Sequence, residues 1–152
     1  MTAARHHGLD GVPSLLYLIK QVELAARSYL DELVAPYGIS ALQYTALSVL
    51  ARNPGMTSAR LARNSFVRIQ SMAQTIAILE AHDYISREPD PASRRQLLIS
   101  LTPQGWDRVH DVQPRLDAFE RDMLEDFEPE EVARMVDALR RLRLRLAGSH
   151  PN

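Results

Sequence analysis

Apolar side chains return every three or four residues along most of this chain, and only one stretch alternates instead. Over residues 14–36 the stripe is Leu15, Ile19, Val22, Ala26, Tyr29 and Leu33, which predicts a helix. Leu16, Leu18, Leu30 and Val34 widen it, so this helix is expected to pack on more than one neighbour. Ser14 is placed to cap its start and Pro36-Tyr37-Gly38 to end it. Ser40 and Gln43 have the spacing of a capping box, in which each side chain satisfies one free end N–H. Leu42, Ala46, Leu47, Val49 and Leu50 make the following helix apolar, until Asn53-Pro54-Gly55 stops it.

Residues 56–64 suit a short helix capped by Thr57, with Leu61 and Ala62 inward. After a break at 65–67 a second helix is expected over 68–81. Its apolar face is Ile69, Met72, Ala73, Ile76 and Leu79, and its polar face is Gln70, Ser71, Gln74 and Thr75. Two short helices across a tight turn, the second amphipathic, describe a helix-turn-helix. His82-Asp83 closes the second helix, with Asp83 expected in a left-handed cap. Residues 84–88 and 96–101 read as strands, the second alternating Leu97, Ile99 and Leu101 toward the core. The loop between them opens on Asp90-Pro91 and puts Arg94 and Arg95 at the hairpin tip.

Thr102-Pro103 then starts a helix. Trp106, Val109, Val112, Leu116, Phe119, Met123 and Phe127 form its stripe, and Pro114 is expected to kink it. A last helix after Glu128-Pro129 carries Val132, Met135, Val136, Leu139, Leu142 and Leu146, with Gly148 at its end. The expected fold is mainly α with a small β-wing: a winged helix-turn-helix over 40–101, within one domain over 1–152. Long helices over 14–36 and 102–147 flank it. Their apolar surface exceeds what so small a centre covers, which predicts a symmetric dimer of interleaved terminal helices. A monomer with an ordinary helical core is the alternative.

Composition narrows the classes. The 152 residues include no cysteine, which excludes disulfides, Cys-ligated zinc and a cysteine nucleophile. No apolar run approaches the roughly 18 residues of a membrane span. The first residues lack the apolar stretch of a signal peptide, so a cytoplasmic protein is expected. The net charge is -1, but it is unevenly spread. Residues 52–95 carry seven basic and four acidic side chains, a basic island between two acidic flanks. Chance scatter is the plainer explanation of so modest an island.

The candidate chemistry lies in that island. The second helix of a helix-turn-helix enters the DNA major groove. There Gln70 and Gln74 can each offer adenine two hydrogen bonds, and Ser71 can bond base or phosphate. Arg68 and Thr75 complete the candidate recognition helix. A wing tip beside it suits the adjacent minor groove, which is narrow and negative in A·T-rich DNA and accepts a guanidinium from Arg94 or Arg95. Thr57, Ser58, Arg60, Arg63 and Arg87 are candidate phosphate contacts, which position without carrying sequence information. The alternatives are a solvated polar helix face, and hairpin charge that discourages edge pairing. No phosphate loop or nucleophile motif is present, so no enzyme and no cofactor is expected. His6, His7, His82, His110 and His150 show no metal-site spacing beyond a bare His6-His7 pair, and a metal sensor through His82 or His110 is a minor alternative.

In this order the pieces resemble the MarR family of winged-helix regulators: Leu42-Gln43, Leu61-Ala62, Leu79-Glu80, Asp90 to Arg95, and Leu101-Thr102-Pro103-Gln104-Gly105. With the flanking helices, the resemblance covers nearly the whole chain. The chain departs from the family pattern at Asp83, where glycine is usual, and at Ser93, where an acid often precedes the wing arginine. It departs also at Gln74, where many members have arginine, and at Glu128, where Ser or Thr is common. The resemblance implies a homodimer on a pseudo-palindromic double-stranded operator, usually a repressor, often released by a small aromatic or phenolic ligand. Tyr17, Tyr37, Tyr44, Trp106 and His110 are then candidates to line the ligand pocket, against the plainer reading that they are packing residues. A winged-helix module that binds proteins and never touches DNA is the alternative function.

Overall fold

The structure is a computed structural model that describes residues 13–149. The order is α1 (Leu15–Val34), a 3-10 turn (Ala35–Tyr37), α2 (Ala41–Arg52), α3 (Ser58–Asn64), α4 (Ile69–Ala81), β1 (Ile85–Asp90), β2 (Ser93–Leu101), α5 (Pro103–Met123) and α6 (Pro129–Ser149). The predicted elements form in their predicted order. Two compact units are present, divided at Pro114 inside α5, which stays helical through that proline. Helix α6 continues through Gly148 to Ser149.

Helix starts follow local chemistry. Tyr17 N–H donates to Ser14 Oγ at 3.2 Å, and Arg60 N–H to Thr57 Oγ1 at 3.3 Å. The capping box closes in both directions: Gln43 N–H donates to Ser40 Oγ, and Ser40 N–H to Gln43 Oε1. The first unit gathers its core from α1 to α5. Val34, Leu47, Leu50, Met56, Leu61, Met72, Leu79, Ile99 and Val112 are its fully buried large side chains.

Helices α3 and α4 both end in a Schellman motif. At α3, Val67 N–H donates to Ala62 O and Phe66 N–H to Arg63 O; at α4, Tyr84 N–H donates to Leu79 O and Asp83 N–H to Glu80 O. The motif needs one left-handed residue, and here these are Phe66 (φ 56°) and Asp83 (φ 60°). Glycine adopts that conformation without steric cost. Asp83→Gly, which also removes a negative charge at a helix C-terminus, is therefore expected to stabilise the protein by about 0.5–1 kcal/mol. Thermal denaturation should show a melting temperature higher by about 2–4 °C.

The wing is an antiparallel pair running from Ile85 opposite Leu101 to Pro89 opposite Leu97. The next pair is Asp90 opposite Ser93, so Arg94, Arg95 and Gln96 have no partner on β1. Asp90 Oδ1 accepts Ala92 N–H at 2.9 Å and holds the turn. Met56 bridges Ile99 on the other edge of β2, with Ile99 N–H donating to Met56 O at 2.8 Å. Ile99 is buried as expected, whereas Leu97 is exposed, because the hairpin extends beyond the core that covers its base.

Between α4 and α5 the chain forms a tight joint. Thr102 N–H donates to Tyr84 O at 3.1 Å, and Thr102 Oγ1 donates to Asp83 O at 2.5 Å while accepting Gly105 N–H at 3.1 Å. The Tyr84 carbonyl packs directly on Gly105, where a Cβ would fall 2.0 Å from that oxygen.

The second unit is the end of α5 and α6. Glu128 N–H donates to the Glu131 side chain at 3.0 Å, half of a capping box, and Glu130 and Glu131 place negative charge in the first turn of α6. An open cavity of about 560 Å³ is lined by Asp117, Glu120, Arg121, Leu124, Glu125, Phe127, Pro129 and Val132. The apolar stripe of α6 is largely exposed, including Met135, Val136, Leu139, Leu142 and Leu146. In the first unit α1 likewise exposes Leu15, Leu16, Ile19, Val22 and Tyr29. Among the described residues no single helix is long and apolar enough to cross a membrane.

Candidate nucleic-acid interface

Helix α4 buries Met72, Thr75, Ile76 and Leu79. Arg68, Gln70, Ser71 and Gln74 are all exposed, so the proposed polar face is free to meet a ligand. Thr75 is the correction. It lies three residues after Met72 and four before Leu79, in the middle of the buried stripe, and is only 6% exposed. Its hydroxyl donates to Ser71 O at 3.0 Å, which satisfies the buried oxygen and removes Thr75 from the outer face. Ile69, expected in the core, is 59% exposed instead. It opens the helix, one turn before the first buried residue.

Arg94 and Arg95 are exposed as expected, but they occupy the unpaired segment of β2 rather than the turn itself, which is Pro91-Ala92. Among the described residues neither has an ion-pair partner. Arg60 and Arg63 are exposed on α3, and Thr57 and Ser58 are half-buried at its start. Arg87 is already paired. Its Nε donates to Glu80 Oε1 at 2.9 Å and its Nη2 to Glu80 Oε2, which commits the guanidinium to joining α4 and β1. Hydrogen bonding to Arg87 holds the Glu80 carboxyl below its ordinary value, so the pair persists at neutral pH and is lost only as pH falls through that lowered value.

The charge along this part of the chain is one-sided. No acidic residue stands between Glu32 and Glu80, while Arg52, Arg60, Arg63 and Arg68 all fall in that interval. It contains α2, α3 and nearly all of α4. Guanidinium groups with no acid near them in sequence, together with the exposed Gln70, Ser71 and Gln74, are chemistry suited to a phosphate backbone with base edges behind it.

The five candidate pocket residues stand in different surroundings. Tyr44 is 3% exposed, and its hydroxyl donates to Gln113 Oε1 at 3.4 Å, so it is a core residue. Tyr37 OH donates to Asp111 O at 3.0 Å. Trp106 and His110 are neighbours, ring centroids 5.8 Å apart, one turn along α5. Tyr17 is exposed on α1 and accepts from Gln21 at 3.1 Å. None of the five lines the cavity beside Phe127.

Arg108 is a residue that sequence reasoning passed over. Its guanidinium lies over the rings of Tyr37 (5.7 Å) and Tyr84 (5.4 Å), and Nη2 donates to Tyr84 OH at 3.1 Å. The signal was present: Gly105, Arg108 and Val112 recur at three- and four-residue steps on the buried face of α5. Among the described residues no cluster of three His, Asp or Glu side chains is arranged to hold a metal, and His6, His7 and His150 lie outside those residues.

The sequence model of the MarR family matches residues 37–96. The HTH-type transcriptional repressor Rv2887 of Mycobacterium tuberculosis is 31% identical over 98 residues, which cover 64% of this chain and 70% of that protein. The HTH-type regulator YsmB of Bacillus subtilis is 26% identical over 136 residues, 90% of each chain. Among solved structures, MarR of E. coli in its apo form superposes with a TM-score of 0.75 at 20% identity, over 86% of this chain and 98% of that one. BldR of Sulfolobus solfataricus gives 0.79 at 21%, over 86% and 93%. These structural likenesses confirm the winged-helix fold.

Proposed function

The chain belongs to the MarR family of transcriptional regulators, and from that premise we propose that it is a homodimeric repressor of a pseudo-palindromic operator, released by a small aromatic ligand. The observation that carries the DNA reading is the exposed polar face of α4, in an acid-free interval and followed in the chain by the unpaired Arg94–Arg95 segment. Gln70 and Gln74 read bases in the major groove, Arg94 and Arg95 enter the flanking minor groove, and Arg60, Arg63 and Arg68 hold phosphates. Thr57 and Ser58 lie at the α3 N-terminus and serve the same backbone.

Dimerisation is supported by the exposed apolar stripes of α1 and α6, which a second copy would cover. Two recognition helices then meet half-sites about 10 bp apart. Repression is supported by the name of the mycobacterial relative. An effector acts by binding the DNA-incompatible arrangement better than the compatible one. Trp106, His110, Tyr37 and Tyr17 are the aromatic side chains outside the core that would meet it.

Binding of genomic promoter fragments, selected and sequenced at low and at moderate salt, tests this. A pseudo-palindrome should be enriched, and its affinity should fall about 10³-fold or more between 50 and 200 mM salt. No retained fragment at low salt would leave the protein-interaction module as the function. Repeating the selection with a panel of aromatic acids tests release.

A further inference from the structure

Two large apolar side chains on the helix-turn-helix, Phe66 and Ile69, are largely exposed. Phe66 is 76% exposed and holds a left-handed backbone (φ 56°) that a Cβ disfavours. Ile69 is 59% exposed at the first position of α4, where a β-branched side chain adds little to the helix. Neither the core nor helix propensity accounts for a large apolar residue at either position. Both lie between Arg63 and Gln70, among the residues proposed to meet DNA.

We propose that Ile69 reads a thymine in each half-site through its 5-methyl group, and that Phe66 supplies a second apolar contact on the same face. This rests on the DNA-binding reading above. The 5-methyl of thymine is the apolar feature that base edges present in the major groove, and it is matched by aliphatic or aromatic side chains. Charge favours this occupant over a second copy of the chain. Arg60, Arg63 and Arg68 surround the pair in sequence without an acid, so two such patches repel each other, whereas a nucleic acid attracts them. The neighbouring Gln70, Ser71 and Gln74 offer hydrogen bonds that a lipid surface has no use for. Gln70 and Gln74 then discriminate adenine while Ile69 marks thymine, which gives each half-site an A·T-rich signature.

The test uses the full-length protein and its selected operator, with each thymine replaced singly by deoxyuridine, which removes only the methyl group. One position per half-site should weaken wild-type binding about fourfold, and about fifteenfold when both half-sites are changed. Ile69→Ala should bind more weakly and be indifferent to the same replacement. Phe66→Asn keeps a residue that tolerates the left-handed backbone. It should match or exceed the wild-type melting temperature while binding the operator several-fold more weakly. A wild type insensitive to every deoxyuridine, or an Ile69→Ala variant that keeps the sensitivity, overturns the assignment of Ile69. Unchanged affinity in Phe66→Asn overturns that of Phe66. So does a change confined to oligomeric state or to binding of anionic vesicles, since the patch would then face another copy or a membrane. These failures occur on an operator that is still bound, whereas failure of the DNA reading itself appears as no retained fragment at all.

Discussion

Replacing Gly105 by alanine is expected to cost about 3 kcal/mol or more and to lower the melting temperature by roughly 10 °C. The direction is opposite to the usual one, since alanine inside a helix normally stabilises it relative to glycine by up to about 1 kcal/mol. The reason is local. A Cβ at this position would lie 2.0 Å from the Tyr84 carbonyl oxygen and 3.0 Å from its carbon, and both are backbone atoms that cannot rotate away. The Thr102 N–H also bonds to that carbonyl, so moving it breaks a second contact. Gly38 provides the comparison. It has φ +71° but open space around it, so Gly38→Ala meets only conformational strain and should cost about 1 kcal/mol. Thermal denaturation of both variants separates the two effects. Equal losses would mean that α5 adjusts to the added methyl.

The second large effect is expected at the wing. Arg94→Ala with Arg95→Ala should weaken operator binding about 10- to 100-fold at moderate salt and leave the melting temperature within about 1 °C. Both side chains are exposed and neither is paired with an acid among the described residues, so their removal costs the fold little. Each guanidinium that neutralises a phosphate adds about 0.9 to the slope of log affinity against log salt. A dimer that loses four should therefore show a slope shallower by up to about 3.6. The slope is the decisive measurement. Lower affinity at unchanged slope would mean that the arginines shape the wing and do not touch DNA.

Much of the fold was legible because its boundaries are local chemistry. Ser40 with Gln43, Thr57 before α3, and Thr102 before Pro103 each specify a helix start within four residues, and each forms as expected. The left-handed Asp83 was legible for the same reason. What failed depends on distant partners. Thr75 and Ile69 exchanged places because a polar-versus-apolar count cannot tell which edge of a helix the core covers. A threonine can bury its methyl and return its hydroxyl to its own backbone, whereas the first turn of a helix often projects past its neighbours. The pairing of Arg87, a candidate phosphate contact, with Glu80 was not legible because the two lie across the α4–β1 junction. The wing arginines were correctly expected to be exposed. Their place in an unpaired segment of β2 depends on a change of strand register that alternation does not encode. Of the aromatic candidates, Tyr44 lies in the core, which its place in the sequence does not disclose.

The joint at Gly105 has a mechanical meaning as well. Asp83 and Tyr84 lie in the turn that closes α4, Thr102 caps the start of α5, and Gly105 and Arg108 stand in its first turns. Held by three hydrogen bonds and one backbone contact without a side chain between them, they behave as a crank fixed to its shaft. Rotation of the first turn of α5 is therefore expected to carry the end of α4 with it. If an effector binds near Trp106 and His110 as proposed above, this joint is the shortest covalent and hydrogen-bonded path from it to α4, the helix proposed to read DNA.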